Sequence, residues 1–529
     1  MWFTWLRNAC VRTDALLRSA IVAAFVATCL SACTSWQTVQ QSPRDLIAEH
    51  PKAVIRAVLT DGSWLTLHRA FIRNDSLGGI TDTSRTDAQP VLTALKNVHH
   101  LEIERVDGGK TALAVIGVGA SAALIYGMVD ALSNLNFGGG NTSSSSSMNW
   151  KFSCPLVYSW NGHHWRLDSG TFGGAIAEAL QRTDVDNLDY AVEEGGLLRL
   201  RVANELAETD HLDALAVIAV DHDSDVAVAP GPDGALHTIG TLEPPLRATD
   251  DRGVDALPRV LAADGWSWES AVMERDPANP ADLRSSLELV FARPAGATSA
   301  HLVVDANSSE WGTLMLAEFI GAHGRATQAW YDTLNAHPAA ARAMQARLGR
   351  EAFLAVSVRT DAGWRDQGLL WEAGPEIVKR QVLDLDLAQV TGDTVVVRLT
   401  SAPSFWKVDR VALDFTADRD VAVHELRMVS AREADGRDVA PLLAAVDHQD
   451  FALSHGASAE VVFAAPPVPA GMARTYLLRS TGWYRVDSPE SGEPDVAALR
   501  ALGRDSLAVG RASAQRLDVA ITRFAEATR

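Results

Sequence analysis

The side chains able to do chemistry in this 529-residue chain lie in short groups, and each group can be held against the spacing its chemistry requires. Gly117-Val118-Gly119-Ala120-Ser121-Ala122 has the form of a dinucleotide-binding turn, which also needs an acidic residue about twenty positions on for the ribose hydroxyl. Phe137 to Gly140 stand there instead and Asp130 comes too early, so the fingerprint is incomplete. Asp184-Val185-Asp186-Asn187-Leu188-Asp189 opens like a calcium loop. Leu188 falls on a ligand position, Asp189 on the turn glycine and Gly195 on the closing glutamate, which leaves a solvated acidic turn or a looser calcium site. His222 among Asp221, Asp223 and Asp225 is one imidazole among carboxylates, which reads as a solvated turn ahead of a metal site. The sequence contains no G-x-S-x-G elbow, and His424-Glu425 lacks the second histidine of H-E-x-x-H. Cys154 has no base or cation beside it in sequence and reads as a small buried hydrophobe. Trp364, Trp371 and Trp406 could stack on a sugar ring, with core packing as the competing role. The expectation is no catalytic residue, no metal and no cofactor. Paired carboxylates for glycan hydrolysis stay open, because their separation decides that chemistry.

Composition narrows the partners. A net charge of −19 without any Lys/Arg-rich run excludes a nucleic-acid footprint and argues against electrostatic adhesion to an anionic membrane. The charged fraction of 21% and hydrophobic fraction of 47% are those of a folding globular chain, and the length suits two to four domains.

The N-terminus supplies the sharpest local pattern. Arg7, Arg12 and Arg18 precede an apolar run from Ala20 to Leu30, too short to span a bilayer and suited to a signal-peptide core. Leu30-Ser31-Ala32-Cys33 then resembles the lipobox of bacterial lipoproteins. That resemblance implies acylation of Cys33, cleavage before it, and stable anchoring by two or three chains. Thr34, where an aspartate would retain the protein at the inner membrane, implies sorting to the outer membrane of a Gram-negative cell envelope. With Cys33 acylated, Cys154 has no intrachain partner, so no disulfide framework is expected.

The elements follow from periodicity. Residues 33–50 read as a tether, and 51–109 as a small β domain with an Asp61-Gly62 hairpin. Residues 110–134 carry a hydrophobic helix. Its uncharged core Thr111 to Val129 either packs on protein or at the membrane surface, the preferred reading, or makes a second membrane span. Residues 135–149 are a Gly/Ser linker. In 150–240, Phe152 to Trp160 and His163 to Leu167 alternate about Asn161-Gly162. This predicts a two-residue hairpin pairing Trp160 with His163 and an aromatic core wall. Residues 241–282 read as a connector and 283–416 as a β-sandwich of seven short strands. A helical insert breaks that sandwich at Trp311–Ile320, Gln328–Leu334 and Pro338–Leu348. Further strands fill 417–488, and 489–529 is a C-terminal helical segment, strongest at Arg511 to Phe524.

Cys154 to Trp160, Arg182-Thr183-Asp184 and Asn204 to Thr209 resemble a module of bacterial envelope proteins that brings no mechanism with it. Gly363-Trp364, Leu383 to Leu387, Val395 to Leu399 and Phe405 to Asp409 resemble the strand rhythm of galactose-binding-like jelly rolls, a likeness that implies sugar binding. The expected fold is therefore mainly β with helical insertions: a small N-terminal β unit, a hydrophobic helix, a larger jelly-roll-like sandwich assembly and a C-terminal helix. The expected function is a lipid-anchored, non-enzymatic binding or scaffolding module for a glycan or an envelope protein, with a glycan-acting hydrolase as the alternative.

Overall fold

The computed structural model describes residues 34–39, 46–47, 53–59, 64–73, 76–81, 91–94, 98–106, 155–265, 267–270, 275–371, 374–487 and 492–515. Leu30 to Cys33, the hydrophobic segment Thr111 to Val129, the linker and Cys154 lie outside them. The chain divides into two compact units, one holding the strands before residue 107 and the other most of the body from residue 155. The described part is mainly β with helical insertions. Among the described residues no helix is long and apolar enough to cross a membrane.

The first unit is a six-stranded antiparallel sheet of β1 (Thr34–Val39), β2 (Ile55–Leu59), β3 (Trp64–Arg73), β4 (Ser76–Ile80), β5 (Val91–Ala94) and β6 (Val98–Val106), ordered β1-β6-β2-β3-β4-β5. Ile55 lies opposite both Leu67 and Ile103, and these three with Leu46, Ala57, Leu77 and Leu101 form its core. The expected tether is partly ordered as β1, since Thr34 to Val39 are β-branched or aromatic enough to pair along the edge of β6.

The body contains two antiparallel sandwiches, one nested in the other. The first begins with β7 (Leu156–Trp160), β8 (Trp165–Gly170), β9 (Arg182–Asn187), β10 (Leu197–Ala203) and β11 (Glu208–Asp223). A hairpin, β12 (Ala227–Pro230) and β13 (Leu236–Ile239), leads out of it. The second sandwich consists of β14 (Arg247–Asp250), β15 (Trp268–Glu269), β16 (Ser285–Ala292), β17 (Ser299–Ser308), β18 (Leu354–Thr360), β19 (Gly363–Leu370), β20 (Lys379–Asp386), β21 (Thr394–Ser401) and β22 (Trp406–Asp414). The chain then returns to finish the first with β23 (Ala422–Glu425), β24 (Met428–Glu433), β25 (Phe451–Ser454), β26 (Ser458–Ala464) and β27 (Met472–Val486). The sheets of the first are β24-β26-β10-β7-β8 and β23-β11-β27-β9; those of the second are β14-β16-β21-β18-β19 and β15-β22-β17-β20. The stretches read separately as 150–240 and 417–488 are thus one discontinuous sandwich. The expected connector 241–282 contributes two strands to the other.

Alternation explains the second sandwich. Leu287, Leu289 and Phe291 of β16 stand directly opposite Leu399, Val397 and Val395 of β21, all fully buried, and each such side chain contributes about 1.5–3 kcal/mol on leaving water. Between β17 and β18 lie α1 (Glu310–Gly321), α2 (Thr327–Ala336) and α3 (Pro338–Glu351), as the Ala-rich helical spacing predicts. Ser309 caps α1 by accepting from the Gly312 N–H at 3.1 Å. Trp311 and Met315 enter the core of the second sandwich, whereas Ile320, Tyr331, Leu334, Met344 and Leu348 enter that of the first. At the C-terminus α4 (Val496–Arg504) is followed by helical residues 508–515, where Ser513 Oγ accepts from Trp311 Nε1 at 2.6 Å. Residues 516–529 lie outside the described set.

The Asn161 turn differs from the expected two-residue loop. Trp160 pairs with Trp165, so the loop is Asn161 to His164, closed by Asn161 Oδ1 accepting from the N–H groups of His163 and His164 at 3.0 and 2.9 Å. His163 is exposed, and the buried face of β7 carries Val157 and Ser159 instead of the aromatic residues.

Candidate functional site

Strand register assembles a group of four side chains that no local stretch announces. In β17, Leu302 and Val304 face the core of the second sandwich, so His301 and Val303 face out of it. In the β17–β20 ladder His301 lies directly opposite Asp384, and Val303 opposite Val382. The β12–β13 hairpin covers this outer face: Ala229 and Ile239 pack on Val303 and Val382. His237 is opposite Ala229 and shares that hairpin face, so it arrives above His301 and Asp384. Asp418 comes from the return segment between β22 and β23.

His301 Nδ1 lies 2.7 Å from Asp384 Oδ1, and His237 Nδ1 lies 3.2 Å from Asp418 Oδ2 and 3.8 Å from Asp384 Oδ1. His301 Nε2 is 3.7 Å from Asp418 Oδ2, and the two imidazole rings are 4.9 Å apart. Thr238 fixes Asp418, its N–H donating to Oδ1 at 2.6 Å. Burial of Asp418 opposes ionisation, but the Thr238 N–H and the two imidazoles outweigh it and hold the carboxyl below its usual range. The imidazoles are nearly enclosed, with side-chain exposures of 9% and 13%, whereas Asp384 is 71% exposed. His237, His301 and Asp384 each present one donor atom close enough to the others to share a metal ion.

An open groove of about 690 Å³ adjoins the group, bordered by His301, Asp384, Asp418, Arg365, Asp366 and Gln367. Arg365 also pairs with Asp386 on its rim at 2.7 Å, and Gln367 Oε1 accepts from the Asp386 N–H at 2.8 Å. The Ala388 N–H, together with Arg365, keeps the Asp386 carboxyl below its usual range. This lining offers donors and acceptors at short intervals and suits a polar ligand.

The three tryptophans named as stacking candidates occupy three different settings. Trp406 is 1% exposed, with Nε1 donating to the Ala352 carbonyl at 2.8 Å; it is core, and no ligand reaches its ring. Trp371 packs at the edge of the first sandwich's core, 4.9 Å from the Phe353 ring and under the Arg182 guanidinium. Trp364 is half-buried, and the Arg398 guanidinium lies 3.7 Å from its ring centre, covering one face. They form no common platform. The acidic groups change meaning too. Asp184 and Asp186 lie on β9, buried against Arg182 and Lys379, so neither a solvated turn nor a calcium loop describes them. Asp221 pairs with Arg474 at 2.6 Å, and His222 is buried with its ring nitrogens satisfied by the Asp223 carbonyl and Thr475 Oγ1.

The site that does form went unread in sequence because His237, His301, Asp384 and Asp418 sit on four segments and lack ligand spacing within any of them. The usable signal was a histidine or aspartate at an outward strand position, with the partner strand and covering hairpin still to be found. No protein-family model matches the chain, and a search of curated proteins finds no match to it.

Proposed function

We propose that the protein is a lipid-anchored binding module of the bacterial cell envelope, displayed from the outer membrane by an acylated Cys33 and taking a polar ligand, a glycan or an envelope protein, in the groove of the second sandwich. The observation that carries the ligand reading is the open groove with Arg365, Asp366, Gln367 and Asp386 along it. Hydrogen-bonding side chains of this kind, mounted on strand ends, recognise polar surfaces without needing a reactive group. The anchor reading rests on Leu30-Ser31-Ala32-Cys33. Thr111 to Val129 would add a second membrane contact.

Two measurements test this. The full chain in detergent, applied to an array of envelope glycans, is expected to bind one class of sugar, with binding lost in Arg365→Ala. No retention on any glycan refutes the lectin version and leaves the protein-ligand version, which a pull-down from solubilised envelope then decides. Turnover of a bound glycan would instead establish the hydrolase. In cells, Cys33→Ser is expected to release the protein from the membrane fraction; retention of the variant would make Thr111 to Val129 the anchor.

A further inference from the structure

The chain crosses between the two sandwiches twice, outward after β11 and back after β22. Both crossings are held at one place. On the outward crossing, one face of the β12–β13 hairpin places Val228 and Leu236 against Ile218, Val220 and Leu477 of the first sandwich. Its other face places Ala229 and Ile239 against Val303 and Val382 of the second. The hairpin is a wedge between the two sandwiches. The return crossing is tied to it by Asp418 accepting from Thr238, and by Asp414, whose Oδ2 accepts from the Gly240 N–H at 2.6 Å. His237 belongs to the wedge, His301 and Asp384 to the second sandwich, and Asp418 to the return crossing.

We propose that His237, His301, Asp384 and Asp418 bind a zinc-type divalent cation that clasps the two crossings between the nested sandwiches. Two imidazoles and two carboxylates make a nitrogen- and oxygen-donor set that suits zinc, whereas calcium and magnesium prefer oxygen alone. Tetrahedral zinc with bonds of about 2.0–2.2 Å places neighbouring donors about 3.3–3.6 Å apart. With His301 ligating through Nδ1, the separations at His237 Nδ1 and Asp384 Oδ1 are 2.7, 3.2 and 3.8 Å and bracket that value. Asp418 Oδ2 lies 3.7 Å from the other nitrogen of His301, so a side-chain rotation is needed to bring it into the set. Ring orientation is already set for His237. A Cβ on Gly231 would stand 3.2 Å from its Nε2, so the hairpin turn closes on that nitrogen and leaves Nδ1 for a ligand. Asp414 is kept out of the donor set because Gly240 and Thr416 occupy both of its oxygens. Thr238 supports Asp418 from behind, as supporting residues do at metal centres. Cation binding does not depend on what the groove accepts.

The test uses the full chain in detergent and zinc alone. After chelation and dialysis against low-micromolar zinc, one zinc per chain is expected by elemental analysis, with competition by cobalt and none by calcium or magnesium. His237→Ala and His301→Ala should each weaken binding at least about 100-fold, since loss of a supporting residue alone costs about 10–100-fold. Should either alanine variant fail to fold, Asp384→Asn decides, because its mostly exposed side chain leaves the core untouched. Hydrogen exchange supplies a second readout: zinc should slow exchange across 227–239 and 415–421 and leave β16 and β21 unchanged. Less than about one fifth of a zinc per wild-type chain overturns the proposal, as does undiminished binding in every folded variant. Glycan binding that survives without zinc would separate the failure of this site from that of the groove.

Discussion

Two pairs of buried carboxylates, both belonging to the first sandwich, reach different electrostatic solutions. On β9, Asp184 accepts from Arg182 Nε at 2.7 Å and from the Phe172 N–H at 2.9 Å, with Lys379 Nζ at 3.6 Å. Burial pushes its pKa up, but Arg182 and Lys379 outweigh burial and hold Asp184 well below the usual carboxylate range. Asp186, two residues on, has Lys379 and Ser169 as partners. Burial and the charge of Asp184 prevail there, and its pKa is raised. On β11, Glu208 and Asp210 are 1% and 0% exposed and share one face of the strand. Burial, helped by Asp487, pushes Asp210 up to about 8, so Asp210 holds its proton at neutral pH. Burial raises Asp186 and Asp210 alike; Asp184 escapes because Arg182 and a cation delivered by a neighbouring element outweigh burial there. Lys379 is that cation, and it comes from β20, the first strand after the helical insert and its hairpin in the second sandwich. The nested sandwich therefore supplies charge balance to its host as well as packing.

The largest effect should come from removing that cation. Lys379→Met leaves Asp184 and Asp186 buried with Arg182 alone, and breaking a buried pair in this way costs about 3–5 kcal/mol. The expected result is a matching fall in the urea midpoint at pH 7, partly recovered as the pH is lowered and Asp186 protonates; a loss below about 1 kcal/mol would break the comparison. Asp210→Asn should come next. Its native pKa is raised above the unfolded value of about 4, so the stability tied to its proton is complete below pH ~4 and is lost as pH rises toward about 8. The variant should flatten the decline of stability over that window and exceed the wild type by about 1–3 kcal/mol at pH 8.5. An unchanged pH profile would show that the Asp210 carboxyl is not raised in the native state. The smallest effect belongs to Arg479→Ala, which removes an exposed pair with Glu425 on the same sandwich and should cost no more than about 0.5 kcal/mol. A larger loss would mean that burial is not what separates strong pairs from weak ones here.

Legibility in the sequence followed the range of the interactions. The seven strands between Leu287 and Phe415 and the three helices of the insert were readable, because Leu287-x-Leu289-x-Phe291 and the spacing of Tyr331, Leu334 and Leu348 declare their own buried faces. The nesting was not. That β11 takes β27 as neighbour, Asp210 opposite Tyr484, is a pairing between distant segments that no local pattern encodes. The Asn161 loop is two residues longer than the sequence predicts because a side-chain oxygen capping two backbone N–H groups competes well with a type I′ turn. Asp184 and Asp186 looked solvated because Lys379 and Arg182 are brought to them only by the fold. The same limit hid His237, His301, Asp384 and Asp418, each unremarkable on its own segment.

Nesting also sets an order of events during synthesis. A ribosome delivers β11 well before β27, and between them it delivers the whole second sandwich, from β14 to β22. Closing so long a loop as free chain is entropically unfavourable, by a term that grows as (3/2)RT ln n. Once the inserted sandwich has folded, its ends at β14 and β22 lie in one body, and the pairing of β11 with β27 becomes a local encounter. Until then β11, sixteen residues long, waits with an unpaired edge and needs protection from other chains.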